Sequence, residues 1–125
     1  MAGTVPFAPL RVVCFTDQTA DETLGPWIPV RGATNITFYC SSTGTTSSGV
    51  ISFEEATQIT TDLNGPVFGA GTGGYGLVST ATVSDFTGGL QKAYHLPTAA
   101  YGFVRARIST AIGGGGSVTV VTEAS

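Results

Sequence analysis

Phe103-Val104-Arg105-Ala106-Arg107-Ile108, then Gly113-Gly114-Gly115-Gly116 and Ser117-Val118-Thr119-Val120-Val121, is the stretch that decides the fold class. Val104, Ala106 and Ile108 alternate with Arg105 and Arg107, the period-2 pattern of a half-buried antiparallel strand. The pattern predicts an apolar face turned inward and an arginine face turned to water or to a partner. The four glycines can take positive φ without a Cβ clash, so they are expected to close a β-hairpin with Ile112 and Val118 flanking the connection. Just upstream, Gln91-Lys92-Ala93-Tyr94-His95-Leu96 after the Thr87-Gly88-Gly89 turn reads as a further strand.

Earlier segments repeat this grammar. Residues 11–15 read as a first strand, 27–30 as a short one after the Gly25-Pro26 turn, and 35–40 as a strong one, with Ile36, Phe38 and Cys40 set against Thr37 and Tyr39. In 50–56, Ile51 and Phe53 share one face while Val50, Ser52 and Glu54 share the other. Residues 77–83, β-branched and small, add one more strand. Between these, 41–49 is almost wholly Ser, Thr and Gly and is expected to be a mobile loop; 69–76 holds five glycines and reads as part of a long loop near one end of the domain. Seven or eight short strands separated by turn signals predict an all-β protein, an antiparallel β-sandwich of jelly-roll or immunoglobulin-like type. Pro6 and Pro9 mark residues 1–9 as an extended arm, so the chain is divided into an arm with the first strand, 1–25, and a sandwich, 26–125.

The 125 residues amount to one domain. Only 10% are Asp, Glu, Lys or Arg, against about 25% in an ordinary soluble domain. Such a low charge suits a subunit covered by copies of itself or by a larger assembly, because interface cores are depleted in charge. The net charge of −3 and the scattering of five basic residues argue against nucleic acid as a partner. No continuous apolar run approaches the length of a membrane span, and the first nine residues lack the charged and apolar regions of a secretory signal. Cys14 and Cys40 both fall in expected strands, as buried free thiols or as a bridge.

Catalytic signals are weak. Gly69-Ala70-Gly71-Thr72-Gly73-Gly74 has the spacing of a dinucleotide loop, but no helix follows to receive a pyrophosphate. His95 is the single histidine, so a catalytic triad or a histidine-rich metal site has little to stand on, and a hydrogen-bonded strand residue is the expected role. Glu54 and Glu55 are adjacent, so on a strand they point to opposite faces and cannot flank one glycosidic bond; one is expected in water and the other paired, with an arginine as the candidate partner. No catalytic residue, cofactor or metal is therefore expected. Among the aromatics, Trp27 reads as a core or interface plug, whereas Tyr75 and Tyr101 are the candidates for stacking on a glycan.

The runs 49–56, 87–91, 95–97, 103–110 and 115–120, taken together, resemble small β-sandwich virion proteins of tailed bacteriophages. The resemblance implies a non-enzymatic capsid decoration or cement protein, a homo-oligomer, expected to be a trimer, located on the virion and bound to the major capsid protein lattice. In that reading Val5, Phe7 and Leu10 of the arm, with Arg105 and Arg107 on an outward strand face, make the contacts. The alternatives are a tail or fibre component and a carbohydrate-binding module on the virion surface, the latter using Tyr75 and Tyr101.

Overall fold

The computed structural model describes residues 8–56, 76–96 and 102–125, together with the backbone of 60–62 and 65–67. Among these residues ten strands run in the order β1 Leu10–Gln18, β2 Ile28–Pro29, β3 Ile36–Thr43, β4 Ser48–Ala56, β5 Thr60–Asp62, β6 Gly65–Val67, β7 Gly76–Thr82, β8 Gln91–His95, β9 Phe103–Gly113 and β10 Ser117–Ala124, with a 3-10 turn at Val83–Phe86 between β7 and β8. Two four-stranded antiparallel sheets, ordered β1-β10-β3-β8 and β2-β9-β4-β7, form a β-sandwich, and β5 pairs with β6 in a separate small ladder. The pairs β1–β10, β2–β9, β3–β8 and β4–β7 are all antiparallel. The first four strands and the last four therefore make one long double ribbon, which rolls up so that β10 also pairs with β3 and β9 with β4. This winding is a jelly roll, and it resolves the choice left open against an immunoglobulin-like sandwich. β1, which the sequence groups with the arm, is a strand of the sandwich.

Alternation explains which side chains meet between the sheets. From β9 come Val104, Ala106 and Ile108, from β4 Ile51 and Phe53, and from β3 Ile36, Phe38 and Cys40, all buried in one core. Phe38 and Phe53, on opposite sheets, stack with ring centroids 4.5 Å apart and an interplanar angle of 22°, and Tyr94 packs beside them, 5.5 Å from Phe53. On β1 the register slips between Val13 and Phe15, a bulge that turns both Cys14 and Phe15 inward. Cys14 and Cys40 are both buried free thiols. β10 runs between their strands, and two interstrand spacings, about 10 Å, exceed the reach of a disulfide.

The expected terminal hairpin does not form. β9 and β10 lie in different sheets, so the glycine turn carries the chain across the sandwich edge, with Gly114 at φ 98° and Gly115 at φ 91°. The reason is partner availability: β4 pairs with β9 and both β1 and β3 pair with β10. Nor is 41–49 one loop. Residues 41–43 complete β3 and 48–49 open β4, and the short link between them is tied to the glycine turn by Ser47 N–H to Gly113 O at 2.8 Å and by Thr45 Oγ1 to Gly114 O. The contact is so close that a Cβ at Gly116 would lie 2.0 Å from Thr43 O.

Candidate functional site

The outer face of the β1-β10-β3-β8 sheet is built in rows. Strand register places Arg11, Glu123, Thr37 and His95 in one row, Val13, Val121, Tyr39 and Ala93 in the next, and Thr119, Ser41 and Gln91 in a third. Because these positions alternate with core residues, all of them face away from the opposite sheet. Tyr39 is half-buried, and its neighbour on β8 is the small Ala93. The result is an open groove of about 500 Å³ lined by Arg11, Tyr39, Ser41, Gln91, Val121 and Glu123. A second groove of about 280 Å³ shares Tyr39 and Glu123 and continues past Thr37 and Asn35. Arg11 Nε lies 3.9 Å from the Glu123 carboxylate. The same carboxylate raises the Tyr39 phenol above its ordinary pKa, by hydrogen bonding to the protonated form first, with burial and the negative charge adding to it. His95 shares a hydrogen bond of 2.8 Å between Nδ1 and Thr37 Oγ1, the strand role the sequence predicts.

The outer face of the other sheet carries a buried ion cluster. Glu54 on β4 pairs with Arg105 on β9, and its carboxylate accepts from Arg105 Nε at 2.8 Å and from Arg107 Nε at 3.1 Å. Arg107 also donates to Glu22 at 2.9 Å, and the Arg105 guanidinium lies 4.4 Å from the Trp27 ring centroid. The expectation that Arg105 and Arg107 present an outward, contact-making face is thereby corrected. They are on the outer face, but Arg105 is only 7% exposed because residues 22–25 run along the free edge of β9, bonding Glu22 N to Ile108 O, Ile108 N to Thr23 O and Gly25 N to Ala106 O. Trp27 is the lid of this cluster, and Glu54 is the arginine-paired member of the two glutamates.

Of the remaining candidate residues, Val5, Phe7, Tyr75 and Tyr101 lie outside the described residues, as does the Gly69–Gly74 run. Leu10 is half-buried at the start of β1 and packs against the core, so it is a residue of the sandwich. Among the described residues no group of His, Cys, Asp or Glu could hold a metal ion, and no helix is long and apolar enough to cross a membrane. The Tyr39 groove was not foreseen. The alternation of Thr37, Tyr39 and Ser41 carries its signal, but the pairing of β10 with both β1 and β3 is needed to bring Arg11 and Glu123 beside them.

The chain matches no protein-family model, and no curated protein matches it significantly. In fold it is similar to the crystal structure of the SPBc2 prophage-derived protein YomS, with a TM-score of 0.51 at 15% identity over 99% of this chain and 97% of that one. Weaker likenesses are to the K1 cleaved adhesin domain of Lys-gingipain from Porphyromonas gingivalis W83, at TM-score 0.45 and 12% identity over 82% of this chain and 60% of that one, and to Bacillus endospore appendages that form disulfide-linked pili, at 0.40 and 15% over 98% and 89%. The likeness to YomS bears on the fold alone, and it agrees with the β-sandwich of the described residues.

Proposed function

We propose that this chain is a non-enzymatic structural protein of a phage virion, which binds the assembled major capsid protein lattice as a homo-oligomer, a trimer, and cements it. The observation that carries this reading is the correspondence of the whole roll, 99% of this chain on 97% of the other, to a protein encoded by a prophage. The low content of charged residues, 10%, supports it, because such a surface suits burial against copies or a shell. Cementing follows by mass action: a protein that binds only the assembled lattice shifts the equilibrium toward that lattice. In this reading Val5 and Phe7 of the arm dock on the capsid, and Leu10 anchors the arm to β1. Arg105 and Arg107 act indirectly, by holding the outer face of the second sheet together through Glu54.

The test is to measure the mass of the purified protein by light scattering, mix it with capsids that lack it, and pellet the mixture. A trimer that co-sediments and raises the melting temperature of the shells is the expected result. A monomer that stays in the supernatant contradicts cementing and favours a tail or fibre position. Unchanged co-sedimentation after deletion of residues 1–9 would remove the arm from the mechanism.

A further inference from the structure

We propose that the groove across β1, β10 and β3 is a binding site for neutral oligosaccharides, with Tyr39 as its stacking platform. The site stands apart from the virion reading: it requires only the sheet face, and it does not involve Tyr75 or Tyr101. Three features of the lining carry the inference. Tyr39 stands in the centre of the face, half-buried, with small Ala93 as its neighbour on β8, and it is the aromatic offered to the C–H face of a pyranose. Around it are groups that can each serve two adjacent hydroxyls: the Arg11 guanidinium, the Gln91 amide and the Glu123 carboxylate, with the Ser41 hydroxyl beside them. Among the described residues, the charges on this lining are Arg11 and Glu123, 3.9 Å apart. They offset one another and leave nothing to attract an anionic ligand.

The shape agrees with the chemistry. A volume of about 500 Å³ lies within the range of small-ligand sites, and it is an open trough rather than a closed cavity. The second groove, about 280 Å³, shares Tyr39 and Glu123 with the first, so a linear chain of sugars can pass over the tyrosine and place units on both sides of it. Asn35, at the far end of this second groove, offers another amide to the chain. A large protein partner fits less well, since the core of a protein interface is depleted in charge and more apolar than this lining. The paired strands hold these side chains in place before the ligand arrives.

The experiment is a titration of the ¹⁵N-labelled full chain with cellohexaose, maltohexaose, chitohexaose and mannohexaose, with a heparin hexasaccharide as the anionic comparison, read by amide chemical shifts. At least one neutral hexasaccharide is expected to give saturable shifts at Tyr39, Ser41, Gln91 and Val121, and heparin to give weaker ones. Tyr39→Ala should weaken binding about tenfold, Tyr39→Phe should keep it within about twofold, and Gln91→Ala, at an exposed edge position, should weaken it about threefold. The Phe variant and the Gln91 variant keep the test valid if Tyr39→Ala unfolds. Absence of shifts with every neutral sugar, shifts centred elsewhere, tighter binding of heparin, or undiminished binding by Gln91→Ala and Tyr39→Ala would each overturn the proposal. Capsid sedimentation is scored separately, so either reading can fail without the other.

Discussion

Arg105 on β9 and Glu54 on β4 face one another in register, Nε to Oε1 at 2.8 Å, with side chains only 9% and 3% exposed. A pair so far from water is held by geometry, because each charge has lost its hydration and must be answered by the other. Arg105→Ala leaves Glu54 with Arg107 as its remaining ion-pair partner and removes the cation over Trp27. It should therefore cost about 3 kcal/mol in urea unfolding. Glu54→Gln in the same background should recover part of that loss, and purely additive effects of the two changes would show that the pair is not coupled.

The crossing between the sheets makes a second, contrasting pair of expectations. A Cβ at Gly116 would meet Thr43 O at 2.0 Å, whereas one at Gly88 meets nothing within 4 Å. Gly116→Ala must displace backbone and should cost at least about 2 kcal/mol. Gly88→Ala carries only the strain of its φ of +70°, about 1 kcal/mol. Equal melting temperatures for the two variants would contradict the packing of the glycine turn against residues 43–47.

Alkaline pH should unfold the protein in a defined order. Burial pushes the Cys14 thiol up to about 11, moderated by its hydrogen bond to Thr122. Burial, with a smaller contribution from Cys14, raises Cys40 as well, and burial, with smaller contributions from Cys40 and Asp85, lifts Tyr94 to about 12. These groups lose their protons first in the unfolded chain, which then binds fewer protons than the native one, so stability falls as pH rises. The decline should begin near the ordinary thiol value of 9.0 and steepen above the ordinary tyrosine value of 10.0. Urea midpoints measured between neutral pH and pH 11 check this. In the Cys14→Ala/Cys40→Ala variant the onset should move up to the tyrosine range.

The same burial governs thiol chemistry. A protonated, buried thiol is a poor nucleophile, and both cysteines are buried and free. Ellman's reagent at neutral pH should find no fast-reacting thiol in the native protein and two after denaturation. A rapid native reaction would contradict the placement of Cys14 and Cys40 inside the sandwich.

How far the sequence could be read depends on the range of the interaction that decides each feature. Alternation in 36–40, 50–54 and 103–108 assigned the inward faces of β3, β4 and β9 correctly, because side-chain parity is a local property of a strand. The pairing of β9 with β4 rather than β10 is set by partners far away in the chain, and a glycine turn can close a hairpin or cross a sandwich equally well. The arginines show the same limit: parity put Arg105 and Arg107 on the outer face, but the cover over them comes from Trp27, Glu22 and the edge segment 22–25. Ser and Thr in 41–49 read as a loop because they bury little apolar area, whereas in the fold the hydroxyls of Ser42, Thr43 and Thr45 are bound, as in Thr43 Oγ1 to Ser117 Oγ at 2.8 Å. Tyr39 was legible as outward-facing, but its neighbours Arg11 and Glu123 meet only once β1 and β10 pair.

The measurement that tests the virion assignment most directly is immunogold labelling of purified particles assembled from the genome that encodes this chain, using antibody raised against the folded protein. The account predicts regularly spaced gold over the capsid surface. Gold confined to the tail, or particles without label while the protein remains in the cleared lysate, would contradict it.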